Sequence, residues 1–86
     1  MTTTFVYDGN EIEIKNEISN CTMYINGEAV DHAKGVFKPE KDFLRGALSC
    51  SDGSVRQLSV QLLHQDGVYK AKLFIDEKLI DVRYMF

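Results

Sequence analysis

The 86-residue chain contains no tryptophan, a single proline and only two cysteines, Cys21 and Cys50. A small secreted domain of this size is usually stapled by two or more bridges, so two cysteines argue for reduced thiols and against a disulfide framework. No apolar run approaches the roughly 18 residues that carry a helix across a bilayer. The opening MTTTFVYDGN lacks both the basic region and the apolar stretch of an export signal. These absences predict no membrane partner and a cytoplasmic location. An excess of basic residues is also missing: 10 Lys and Arg stand against 13 Asp and Glu, a formal charge of -3. Nonspecific nucleic-acid affinity comes from clustered cations that release counterions, so no nucleic-acid partner is expected.

What is present is alternation. Apolar residues recur at every second position and not at helical spacing, and the runs are separated by Asp-Gly, Gly-Asn, Ser-Asn and Asn-Gly. With 44% hydrophobic and 27% charged residues in no long run of one sign, the chain reads as a folded all-β domain. A domain this short hides only about 60 to 65% of its unfolded surface, so it has room for one core.

Pairing the strands tests this reading, because residues opposite one another share a face. A turn at Asp66-Gly67 sets Leu62 against Ala71, Val60 against Leu73 and Leu58 against Ile75. A turn at Asp76-Glu77 sets Leu73 against Ile80, Ala71 against Val82 and Tyr69 against Tyr84, although Asp-Glu is poor chemistry for so tight a turn. The expected buried face is Leu58, Val60, Leu62, Ala71, Leu73, Ile75, Ile80 and Val82. Turning SDGS with a three-residue loop, Gly53 left-handed, brings Leu44, Gly46 and Leu48 onto it. In the first half, Gly9-Asn10 sets Tyr7 against Ile12 and Phe5 against Ile14, Ser19-Asn20 sets Ile14 against Ile25, and Asn26-Gly27 sets Met23 against Val30.

The chain also repeats a phrase: TMYINGEAVD at Thr22 to Asp31 runs in step with KLFIDEKLID at Lys72 to Asp81. Each copy falls on the third and fourth strands of a four-stranded meander. The prediction is one domain over 1-86 with pseudo-repeat halves at about 1-34 and 44-86. A crossover spans 33-43 and holds Pro39. A meander with one apolar face cannot bury that face alone, so two antiparallel meanders should pack as an eight-stranded β-sandwich, the alternative being a closed up-and-down β-barrel.

The hairpin MYINGEAVD, preceded by YDGNEIEIKNEIS, resembles a pattern in small uncharacterised bacterial β-rich proteins and, more distantly, the β-sandwich domains of the Fas apoptosis inhibitory molecule family. The likeness covers the first half and the last hairpin. It implies a β-sandwich associated with protein interaction, and it transfers no functional residue.

Cys21, Cys50, His32 and His64 lack the close ligand pairs of a zinc module, so no metal and no cofactor are expected. No activated-nucleophile context surrounds either cysteine or any serine, so no catalytic residue is assigned and the protein is read as a non-enzyme. Glu11, Glu13 and Glu17 alternate as an acidic row on a solvated face. Lys72 is expected to pair with Asp81 across the last hairpin, and His32 to face Cys21.

Tyr24 and Phe74 occupy the same place in the repeated phrase and point away from the apolar face, opposite Ala29 and Leu79. Met85 falls on the same outer side. Tyr24, Phe74, Leu79 and Met85 form the candidate contact patch. The resulting expectation is a noncatalytic protein-interaction module, acting on a protein partner or as a homodimer. A small-ligand-binding β-barrel and a small acidic inhibitor or immunity-type protein are the alternatives.

Overall fold

Alternating side chains give each strand one apolar and one polar face, and the chain uses this throughout. The computed structural model describes residues 1–17, 20–34 and 43–86, and among these it contains eight strands and no helix. The strands are β1 (Thr2–Tyr7), β2 (Asn10–Asn16), β3 (Asn20–Ile25), β4 (Glu28–Lys34), β5 (Phe43–Ser49), β6 (Val55–Gln65), β7 (Val68–Ile75) and β8 (Lys78–Tyr84). They form two antiparallel four-stranded sheets, β1-β2-β3-β4 and β5-β6-β7-β8, which pack as a sandwich. The ladders do not merge into one sheet, so the closed barrel is excluded. Most of the expected crossover, including Pro39, lies outside the described residues.

Four of the expected turns hold. Asn26-Gly27 and Asp66-Gly67 place both central residues at positive φ, as a type I′ turn requires. Around SDGS, the Cys50 amide donates to the Ser54 carbonyl at 2.9 Å and the Gly53 amide to the Cys50 carbonyl at 3.0 Å. Gly53 sits at φ +83°, and Leu44, Gly46 and Leu48 join the ladder opposite Val60, Leu58 and Arg56. Asp76-Glu77 also turns in two residues, with Glu77 forced to φ 68°.

The first half departs from the expected register by two residues. Its first turn is Asp8-Gly9 and not Gly9-Asn10, so Phe5 pairs with Ile12 and Tyr7 with Asn10. Aspartate tolerates the left-handed conformation, and Asn10 is freed to accept from the Asn26 side chain at 3.0 Å. In the next hairpin Ile14 meets Met23, not Ile25, and Asn16 meets Cys21; Ser19 of the expected turn lies outside the described residues. A slip of two preserves the face, so Phe5, Ile12, Ile14, Cys21 and Met23 are all buried.

The larger correction concerns β4 and β8. Each carries a one-residue bulge, opposite Met23/Tyr24 and Leu73/Phe74 respectively. Met23 therefore pairs with Asp31 in place of Val30, and Leu73 with Asp81 in place of Ile80. An inserted residue reverses which side chains face inward beyond it. Ile80 and Val82, expected in the core, are each 42% exposed, while Met85, expected outside, is 4% exposed and part of the core. The remaining expected core residues, Leu58, Val60, Leu62, Ala71, Leu73 and Ile75, are buried.

The repeated phrase now has a physical meaning. The first turn residue, Asn26 or Asp76, adds a rung to the neighbouring strand. The Asn26 amide donates to the Glu11 carbonyl at 2.8 Å and its Oδ1 accepts the Glu11 amide at 2.9 Å. The Asp76 amide likewise donates to the Gln57 carbonyl at 2.8 Å and its Oδ1 accepts the Gln57 amide at 3.0 Å. The closing aspartate sits at the bulge and caps the next amide: Asp31 Oδ1 accepts from His32 at 2.9 Å, Asp81 Oδ1 from Val82 at 2.8 Å.

The sheets meet edge to edge at two seams, β4 beside β5 and β1 beside β8. At the first, Asp31 Oδ2 accepts the Arg45 amide at 2.7 Å. Gly46 lets the layers approach there: a Cβ on it would lie 3.2 Å from Met23 Cε and 3.3 Å from Ile25 Cδ1. At the second, Thr2 and Phe86 exchange backbone bonds of 2.8 and 3.4 Å.

Truncation of Leu73 to Ala is expected to lower the unfolding free energy by about 2 to 5 kcal/mol in urea titration. A loss near zero would place Leu73 outside the core. Glu77→Gly is expected to raise stability by about 0.5 to 1 kcal/mol, the left-handed penalty on glutamate less the entropy that glycine adds to the unfolded chain. A urea midpoint lowered by the full glycine entropy cost would mean that Glu77 carries no strain.

Candidate functional site

The ladders assign every side chain of the second sheet to one layer. On its outer face lie Phe43, Arg45 and Ala47 from β5, Gln57, Ser59, Gln61 and Leu63 from β6, Lys70, Lys72 and Phe74 from β7, and Leu79, Val82 and Tyr84 from β8. Ser59 separates Arg45 from Phe74 in one row, and this small residue lets the Phe43 and Phe74 rings approach to 6.3 Å between centroids. Phe43 and Phe74 are half-buried, whereas Leu79, Val82 and Tyr84 are 48, 42 and 55% exposed. Arg45 lies 5.5 Å from the Phe43 centroid and Lys70 5.2 Å from that of Tyr84. The apolar strip is thus laced with cations.

Of the four residues expected in the contact patch, this face gathers Phe74 and Leu79, which pair directly. Tyr24 lies on the outer face of the other sheet, opposite Ala29, with Lys15 Nζ 5.4 Å from its ring centroid. Met85 is in the core and leaves the patch. Sequence reading missed Phe43, Val82 and Tyr84. Alternation with Arg45 was a signal for Phe43; Val82 and Tyr84 had none, because their direction depends on the bulge. That bulge also cancels the expected Lys72–Asp81 pair: Lys72 faces Val82, and Asp81 Oδ2 bonds Arg83 Nε at 3.2 Å. His64 faces Tyr69, its ring stacked at 4.1 Å, and His32 faces Thr22 and not the expected Cys21.

Two concave regions offer alternatives. A cleft of about 520 Å³ separates β1 from β8, lined by Thr2, Thr4, Arg83, Tyr84 and Phe86 among others. A smaller hollow of about 300 Å³ lies between the first turns of the two sheets, lined by Tyr7, Asp8, Cys50, Ser51, Asp52 and Arg56. There Asp8 clamps Ser51, accepting its amide at 2.6 Å and its hydroxyl at 2.9 Å. The amide bond, then the hydroxyl bond, holds the Asp8 carboxyl below the usual carboxylate range. So weak a base does not activate Ser51. Burial pushes the Cys21 thiol up to about 11, which keeps it protonated at neutral pH, and both cysteines are free thiols. Among the described residues no three His, Cys, Asp or Glu side chains gather as a metal-ligand set, and no helix is long and apolar enough to cross a membrane.

No family model matches the chain, and neither a curated protein nor a solved structure is found to be similar to it. The resemblance to the Fas apoptosis inhibitory molecule family accordingly stands on the quoted turns and strands alone.

The Asp8 clamp predicts an acid response. A carboxyl whose folded pKa is depressed contributes stability above its unfolded pKa, near 3.8, and loses that contribution as pH falls through the lower folded value. Asp8→Asn keeps a residue that tolerates positive φ but cannot titrate. Urea midpoints measured downward from pH 6 are expected to fall less steeply for Asp8→Asn than for wild type below about pH 4. Parallel curves would show that the Ser51 clamp carries no linked proton.

Proposed function

We propose that the protein is a noncatalytic β-sandwich interaction module that docks a protein partner on the outer face of its second sheet. The supporting observation is the run of Leu79, Val82 and Tyr84 in water beside half-buried Phe74, on the side of the sheet away from the core. Selection for solubility ordinarily places Thr, Lys or Glu at such positions in a small domain. Covering a side chain such as Leu79 completely contributes about 1.5 to 3 kcal/mol, so two or three of them suffice to anchor a contact. Arg45, Lys70 and Lys72 add directionality and a salt-dependent association rate.

A non-enzyme reading rests on the chemistry of the polar groups: Asp8 is a weakened base, Cys21 is buried and protonated, and the His64 ring is stacked on Tyr69. Function without metal, cofactor or nucleic acid, in the cytoplasm, completes the proposal.

Photo-crosslinking reads the surface directly. A photoreactive residue at Leu79 is expected to give a discrete adduct with a protein in cells, one that disappears with Lys72→Glu, while the same group at exposed Glu28 gives none. Equal, diffuse labelling at both positions would remove the basis for a docking face.

A further inference from the structure

The two outer faces of the sandwich differ in their charges. The strands of the second sheet contain one carboxylate, Asp81, and its register opposite Leu73 turns it toward the core side. The outward charges of that sheet are Arg45, Lys70 and Lys72 alone. On the first sheet the outward charges of the central strand β2 are Glu11, Glu13 and Lys15, with Glu17 just beyond its end, and Tyr24 stands directly opposite Glu13. So in a chain of net charge -3 the outward charges of the apolar second face are all positive, while two carboxylates and one ammonium share the central strand of the first.

This difference selects among partners. Stacking two second-sheet faces about a twofold axis sets the cations Arg45, Lys70 and Lys72 of one copy against the same cationic face of the other, and like charges at an interface oppose association. The first sheet offers the complement. Glu11 and Glu13 are two residues apart on a central strand, and so are Lys70 and Lys72; both pairs have a spacing of about 6.8 Å at the rise of an extended chain. Each row is flanked by an aromatic residue, Tyr24 on one face and Phe74 on the other.

We infer that the occupant of the second-sheet face is the first-sheet face of another copy of this chain, giving a head-to-tail contact in which Glu11 and Glu13 meet Lys70 and Lys72 beside Tyr24 and Phe74. The inference rests on the docking reading above and names its partner. Such a contact leaves one free face at each end, so it propagates with concentration unless the rotation closes a ring.

Sedimentation velocity on two variants tests it. Glu11→Lys/Glu13→Lys blocks the first-sheet face and Lys70→Glu/Lys72→Glu blocks the second. Wild type is expected to associate at high micromolar concentration, with affinity roughly tenfold weaker at high salt than at low salt. Each variant alone is expected to be a monomer, and their equimolar mixture is expected to associate again, because every contact in it sets a cationic row against an acidic one; a mixture that stays monomeric overturns the charge pairing. If either double variant fails to fold by circular dichroism, the single changes Glu13→Lys and Lys72→Glu replace it. A first-sheet variant that still dimerises by itself overturns the head-to-tail contact in favour of a symmetric one. A monomeric wild type overturns self-association, and the Leu79 crosslink then separates the two ideas: a foreign adduct preserves the docking face, and no adduct removes both.

Discussion

Neither meander can hide its own apolar face, and the rest of the molecule follows from that. Among the described residues, Phe5, Ile12, Ile14, Cys21 and Met23 on one sheet share a core with Leu44, Leu48, Leu58, Val60, Leu62, Ala71, Leu73 and Ile75 on the other and with Met85. The parity of every strand is therefore fixed, because a slip of one residue would turn a whole row into water. A slip of two costs nothing in parity, which is why the first two hairpins could choose their turns on local chemistry. Gly46 shows how close the layers come, its missing side chain leaving room for Met23 and Ile25.

Two open sheets have four edges, and edges expose unpaired backbone groups. The chain manages them with the carboxylate residues of its repeated phrase. Asp31 and Asp81 occupy bulges that distort the edge strands β4 and β8, while Asn26 and Asp76 extend the inner ladders onto β2 and β6. The two halves then diverge. Asp31 reaches the Arg45 amide and closes its seam, whereas Asp81 spends its second oxygen on Arg83 in its own strand. Arg83 lies 5.9 Å from the Phe5 centroid, and the β1–β8 seam stays open as a cleft above the Thr2–Phe86 bonds.

The same bulge links edge protection to the candidate docking face. By inserting Ile80 it sends Met85 inward to complete the core and leaves Val82 and Tyr84 outward beside Leu79. One inserted residue thus trades two aliphatic core positions for an apolar rim on a face whose outward charges are all positive.

Alternation and turn chemistry in the sequence determined the all-β class, the eight strands, the two antiparallel meanders and most of the core, because period-two patterning is a local property that each strand displays on its own. Asn26-Gly27, Asp66-Gly67 and the SDGS loop were legible for the same reason: positive φ favours few residue types. Phe74 and Leu79 could be paired from the turn alone, being one step from it. Tertiary structure decided what lies past the bulges. No residue type announces a bulge, and its position is set by the edge strand's need to twist and by the carboxylate that caps the freed amide. Ile80, Val82 and Met85 therefore lay beyond sequence reading. The glutamates of β2 and the lysines of β7 are written in the strands, but only the pairing of β7 with β8, which turns Asp81 inward, leaves the outward charges of the second sheet all positive.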